Sequence, residues 1–167
     1  MEVIRNKVAD SGIQVFNLDE LVGPVVIREI DLASFLHGGF VLREKEYRQT
    51  LLDKDWSEFQ DVHVGVFCST DAIIPTWAYM LLAARLEGVA TSVSFAKNPE
   101  IKSRVYREAL GVFDWSTYAD KIVVIKGCGT GAVPTSAYVE ATTQLQRVAR
   151  KIMYGEPCSS VPVWRKK

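Results

Sequence analysis

The chain has 167 residues, of which 48% are hydrophobic and 24% charged, values that suit a globular protein with a real core and exclude intrinsic disorder. Its 20 basic and 20 acidic side chains cancel. A neutral chain has no electrostatic footprint for polyanions, so nucleic acid is not an expected partner.

The charged opening "MEVIRNKVADSG" lacks the apolar core of an export signal. Residues 2–10 read as a short helix. Residues 13–16 and 25–30 are rich in β-branched side chains and read as strands. Residues 41–53 carry a loose helical stripe of Leu42, Tyr47 and Leu51. "HVGVFC" at 63–68 is a strand of the buried type. Residues 75–88 form a helix that is apolar almost all round and that Gly88 is placed to end. The longest apolar run, "AIIPTWAYMLLAA" at 72–84, is interrupted by Pro75 and falls short of the roughly 18 residues a membrane span needs. No membrane partner is expected, and the location expected is the cytoplasm.

Residues 90–96 read as a second strand. Pro99 opens a helix whose stripe is Ile101, Val105, Ala109 and Val112. "KIVVIKG" at 121–127 is a third strand, apolar on both faces as a covered parallel strand should be. From Pro134 a last helix is expected to bury Tyr138, Ala141, Leu145, Val148 and Ile152, with a short strand to follow at 161–164. Strands alternating with helices predict an α/β fold built on a parallel sheet. The expected organisation is an extension, residues 1–54, packed on a main domain, residues 55–167. The two form one compact body in which the early strands add an edge or a cover.

The chain also repeats itself. At an offset of 59 residues, Asp55 aligns with Asp114, Trp56 with Trp115, Ser57 with Ser116 and Asp61 with Asp120. The same offset aligns Val64 with Val123, Pro75 with Pro134, Thr76 with Thr135, Ala78 with Ala137, Tyr79 with Tyr138 and Leu86 with Leu145. These ten identities run without a gap, several times the number that chance would give. They mark an internal duplication of one strand–loop–helix unit. Most of the repeated residues, the aromatic ones above all, read as structural.

The cysteines differ. Cys68 aligns with Gly127, and Cys128 with Ser69. Both cysteines stand where a parallel strand runs into its loop, the end at which α/β sheets gather their ligands. Were the two strands neighbours, Cys68 and Cys128 could approach each other. Cys158 follows the second helix, and the tail must turn back for it to join them. Three converging thiolates suit zinc or iron, with Asp71 or a water as a candidate fourth ligand; His37 and His63 are alternatives, of which His63 is a poor one because it begins the strand whose far end carries Cys68. Two alternatives stay open: small buried core thiols, or a nucleophilic cysteine before a helix N-terminus. The loop Gly127, Gly129, Gly131 ("GCGTG") is a further candidate, for a nucleotide or phosphate held by backbone N–H groups. It completes no standard motif, and a turn needing positive φ is the plainer explanation. No Ser-His-Asp or HExxH arrangement is present, so no catalysis is read and enzyme status stays open.

The stretches "CSTDAIIPTWAYMLL", "VIKGC" and "IMYGEPCSSVPVW" resemble the bacterial proteins known as domain of unknown function 2480, a resemblance that covers the whole chain. Each stretch holds one cysteine, so the resemblance implies a shared site of Cys68, Cys128 and Cys158. It brings no activity with it. Members of that family look to be encoded near iron–sulfur cluster assembly genes, which implies sulfur or metal handling by association alone. The expected function is a metal-binding accessory protein, with an unknown protein partner or a homo-oligomer both compatible. The alternatives are a scaffold with buried thiols and a small-molecule or nucleotide-binding enzyme.

Overall fold

A computed structural model describes residues 12–127 and 133–167. The helix expected at 2–10 lies outside these residues. In chain order the elements are β1 (Ile13–Asn17), α1 (Leu18–Leu21), β2 (Ile27–Asp31), α2 (Glu44–Asp53), β3 (His63–Phe67), α3 (Thr76–Leu86), β4 (Ser92–Ser94), α4 (Asn98–Val112), β5 (Ile122–Lys126), α5 (Thr135–Leu145), β6 (Lys151–Tyr154) and β7 (Val161–Arg165). Short 3-10 turns occupy Leu32–Phe35, Ser57–Phe59 and Trp115–Tyr118. Among the described residues, no helix is long and apolar enough to cross a membrane.

The fold is α/β with mostly parallel sheets, as the alternation of elements implies. The chain divides into two compact units: a central one, Pro24–Lys102, and a terminal one made of Met1–Gly23 with Ser103–Lys167. The boundary falls inside α4. The central unit holds a parallel sheet of order β2-β3-β4, and the terminal unit a sheet of order β1-β5-β6-β7, with β7 antiparallel to β6. The three strands read from the later sequence are therefore divided: β3 and β4 share one sheet, and β5 belongs to the other. Each copy of the duplication takes its own early strand, β2 beside β3 and β1 beside β5, so those strands add an edge as expected.

The two parallel cores are built to one register. Ile27 pairs with His63 and His63 with Ser92 in the central sheet; Ile13 pairs with Ile122 and Ile122 with Lys151 in the terminal sheet. The duplication reaches beyond the stretch read first. At the same offset Tyr47 matches Tyr106, Leu51 matches Leu110, Val89 matches Val148 and Ala90 matches Ala149. The edge strands correspond too: Ile13-Gln-Val-Phe-Asn-Leu18 matches Ile27-Arg-Glu-Ile-Asp-Leu32, with Phe16 and Ile30 the buried members. After each of these strands an Asx side chain caps the next turn. The Asn17 oxygen accepts from the Asp19 N–H at 3.1 Å, and the Asp31 oxygen from the Ala33 N–H at 2.9 Å.

The repeated polar residues have local tasks. Asp55 and Asp114 each accept from a serine N–H two residues on, at 2.9 and 3.0 Å, and start the 3-10 turns. Asp61 and Asp120 then adopt φ of 57° and 55°, a left-handed conformation that aspartate tolerates better than most residues. Their N–H groups donate to Val89 and Val148, at 2.9 and 2.8 Å, tying the start of the middle strand to the turn after the following helix. Pro75 and Pro134 each offer a carbonyl to an alanine N–H three residues on, at 2.9 Å, at the helix N-terminus. Leu32, Tyr47, Leu51, Val64 and Leu86 form the central core; Leu18, Tyr106, Leu110, Val123 and Leu145 occupy the matching places in the terminal core.

The last helix is shorter than its spacing predicts. α5 stops at Leu145, as α3 stops at Leu86, and the Val148 and Ala149 N–H groups turn back onto the Leu145 carbonyl. Val148 lies in that turn, and Ile152 is buried on β6 rather than on a helix. The i, i+3, i+4 spacing runs on by coincidence, because a turn followed by a strand returns the same side chains to the core.

Candidate functional site

In parallel sheets the loops at the carboxyl ends of the strands are free to carry chemistry, because the helices cover the faces. Each unit presents one such edge. Among the described residues, Cys68 and Asp71 follow β3 of the central unit, while Gly127 and Cys158 belong to the terminal unit.

In the central unit β3 ends at Phe67 and delivers Cys68, which is partly buried. Its Sγ lies 3.3 Å from Thr70 Oγ1. Asp31, at the end of the neighbouring β2, also accepts from the Ser69 N–H at 3.0 Å and so fastens the loop after the cysteine. Burial pulls the Asp31 carboxyl upward. Hydrogen bonds from Ser69 and Ala33 together with the Lys97 charge outweigh it, and hold the group below the usual aspartate value. Lys97 spans the ring of Phe67, with Nζ 4.9 Å from the centroid. Tyr79 is pushed up, first by burial and then by Cys68 and Asp31 beside it. Asp71 is exposed in the loop that leads to α3. His63 stands at the amino end of β3 with Nδ1 2.8 Å from Ser92 Oγ, away from the cysteine end as the sequence implied. His37 lies in a tight turn bridged to Val41.

In the terminal unit β5 ends at Lys126, followed by Gly127. Cys128, Gly129 and Gly131 lie outside the described residues. Gly127 occupies the place that Cys68 takes in the central unit, and a Cβ there would overlap the phenol of Tyr138. The glycine thus serves a close approach, and its φ lies outside the left-handed region. The neighbouring strand β6 runs parallel to β5 and returns the chain to the same edge. There the Gly155 N–H donates to the Ile125 carbonyl at 3.1 Å. Lys126 Nζ meets Glu156 Oε2 at 3.2 Å. The Ser159 N–H closes a turn onto the Glu156 carbonyl at 2.9 Å, and Cys158 is exposed inside that turn.

The extra distance that Cys158 must travel from the end of α5 is covered by β6, the strand that helical spacing concealed. A signal for it was present: the same offset carries β4 onto β6. Cys68 and Asp71 belong to the central unit, and Cys158 to the terminal one. Among the described residues, no three His, Cys, Asp or Glu side chains form a group able to hold a metal ion. What the geometry does unite is Lys126 and Glu156, each two residues ahead of a cysteine in sequence.

A family model described as "Protein of unknown function (DUF2480)" matches residues 2–166. No curated protein and no solved structure gives a significant match.

Proposed function

The chain belongs to the DUF2480 family of proteins of unknown function, and from that premise we propose that it is a metal-handling accessory protein, with Cys128 and Cys158 as thiolate ligands for zinc or iron. The observation that carries the reading is the Lys126–Glu156 ion pair at 3.2 Å. Each cysteine follows one of its members by two residues, so each Cα stays within about 7 Å of its anchor by chain length alone. Both anchors sit at the carboxyl edge of adjacent parallel strands. Soft thiolates select thiophilic ions such as zinc or ferrous iron.

Two thiolates cannot close a tetrahedron. The remaining positions are open to water, to a substrate or to a ligand from a protein partner, which is the coordination of a transfer or catalytic site rather than of a structural one. Glu156 meets Lys126 through Oε2, and a metal would take its other carboxylate oxygen as a third ligand. A link to iron–sulfur or sulfur metabolism agrees with the resemblance noted from sequence.

Elemental analysis of protein purified under reducing, chelator-free conditions tests the reading. About one equivalent of zinc or iron is expected in the wild type and in Cys68→Ser, and its loss in Cys128→Ser and Cys158→Ser. Less than about 0.2 equivalents in the wild type contradicts metal binding. Loss in Cys68→Ser overturns the two-thiolate set in favour of the three-cysteine set expected from sequence.

A further inference from the structure

The terminal unit contains a cavity of ≈ 510 Å³ beside the carboxyl end of β5, a size in the range of small-molecule sites. Its floor is the buried Ile125. One wall is the outer face of α5, and the other is formed by Tyr154 of β6 and Val163 of β7. Val139, Val163 and Tyr154 remain 63%, 50% and 44% exposed, so apolar surface faces solvent around it.

Among the described residues the lining is uncharged. Thr142 and Thr143 turn their hydroxyls onto the carbonyls of Tyr138 and Val139, at 2.7 and 3.0 Å, so these hydrogen bonds are made within the helix. Thr135 and the phenols of Tyr138 and Tyr154 are the other polar groups. The Tyr138 and Tyr154 rings stand at 85° with centroids 5.6 Å apart. A flat ring entering the cavity can stack on one of them and meet the edge of the other.

The duplication separates what is framework from what has been added. The central unit keeps the aromatic pair as Tyr79 and Phe95, at 5.1 Å and 86°. It has Ala83 and Ala84 where the terminal unit has Thr142 and Thr143. Its sheet ends at β4, whereas the terminal sheet continues into β7, which brings Val163 to the cavity wall. The added strand thus walls in a face that both units share.

We propose that this cavity binds an uncharged, ring-containing small molecule. An ionised ligand is disfavoured because the described lining residues offer no counter-charge for the solvation it would lose. The proposal does not depend on the metal reading, since no thiol is among the described residues that line the cavity.

Fluorescence titration with N-phenyl-1-naphthylamine, a neutral ring probe, tests it. The expected result is one saturable site, weakened at least about tenfold by Val139→Glu and by Val163→Glu, both at exposed positions that tolerate substitution. Met80→Glu, at the matching place on α3 and 66% exposed, serves as the control and should leave binding unchanged. The anionic probe 1-anilinonaphthalene-8-sulfonate should bind at least about tenfold more weakly. Equal weakening by Met80→Glu, no effect of either glutamate at the cavity, no saturable binding up to the solubility of the probe, or equal binding of the anionic probe would each overturn the proposal.

Discussion

Trp56 and Trp115 make the same hydrogen bond, one in each unit: the indole N–H donates to the carbonyl five residues earlier, Leu51 and Leu110, at 3.1 Å in both. The bond fastens the turn before the middle strand to the end of the preceding helix, and in each unit that leucine is a core residue. Replacing either tryptophan by phenylalanine keeps a ring and removes the donor. A loss of about 1 kcal/mol is expected from each change, read as a lower urea midpoint at unchanged slope. Unchanged midpoints in both variants would remove this bond from the forces that hold the repeat.

Acid should attack the two repeats alike. Asp55 is held below its ordinary value of 3.8 by the Ser57 N–H and hydroxyl, and Asp114 by the Ser116 hydroxyl and N–H. A carboxyl whose folded pKa is depressed stabilises the fold above its unfolded pKa, and that contribution is lost as pH falls through the folded value. The melting temperature should therefore drop as pH falls below about 4. Asn at both positions keeps a capping oxygen without the charge and should flatten that drop. A double Asp→Asn variant with the same acid profile as the wild type would contradict this.

At the alkaline end the informative group is Tyr47. Its hydroxyl donates to the Ala78 carbonyl at 2.9 Å, and burial, with Tyr79 beside it, pushes its pKa up to about 12. A raised tyrosine pKa contributes stability that is complete below the unfolded value near 10 and is lost as pH rises through the folded one. Tyr47→Phe should cost about 1 kcal/mol at neutral pH and weaken the dependence of stability on pH above 10. Ultraviolet titration should also lose one late-ionising tyrosine. Ionisation of every tyrosine near 10 in the wild type would refute the burial argument.

Gly127→Ala tests the close approach at the end of β5. The new Cβ overlaps the Tyr138 phenol, so the ring must swing out or the strand end must shift. The expected cost is about 1–3 kcal/mol, seen as a lower melting temperature. The change should also weaken probe binding, because Tyr138 walls the cavity. Wild-type stability in this variant would mean that the approach is looser than the geometry implies.

The strands and helices were legible wherever apolar runs met proline, glycine or aspartate. Pro75, Pro134 and the two Asp-Trp-Ser turns mark their places in each copy. The assignment of strands to sheets was not legible. Both copies share one alternation, and nothing local in "IQVF" or "VVIREI" says which middle strand each will join. β6 was hidden by side-chain spacing, since Val148 and Ile152 extend the stripe of α5 whether the chain coils or turns. With β6 hidden, the route of Cys158 back to the carboxyl edge could not be read, although the self-alignment that carries β4 onto β6 held the clue. Cys68 and Cys128 each follow a middle strand, and nothing local says that these strands, β3 and β5, belong to different sheets. The cavity was invisible for another reason: one of its walls comes from β7, which lies outside the repeat.

The most direct measurement asks whether Cys128 and Cys158 lie within reach of one another. Cys68→Ser protein, reduced and monomeric, is treated with dibromobimane, which fluoresces fully only when thiols alkylate both of its arms, and the cross-linked peptides are mapped. The account predicts an intramolecular bimane bridge between Cys128 and Cys158, formed at a rate independent of protein concentration. Two singly alkylated cysteines, or bridges that join separate chains, would contradict it.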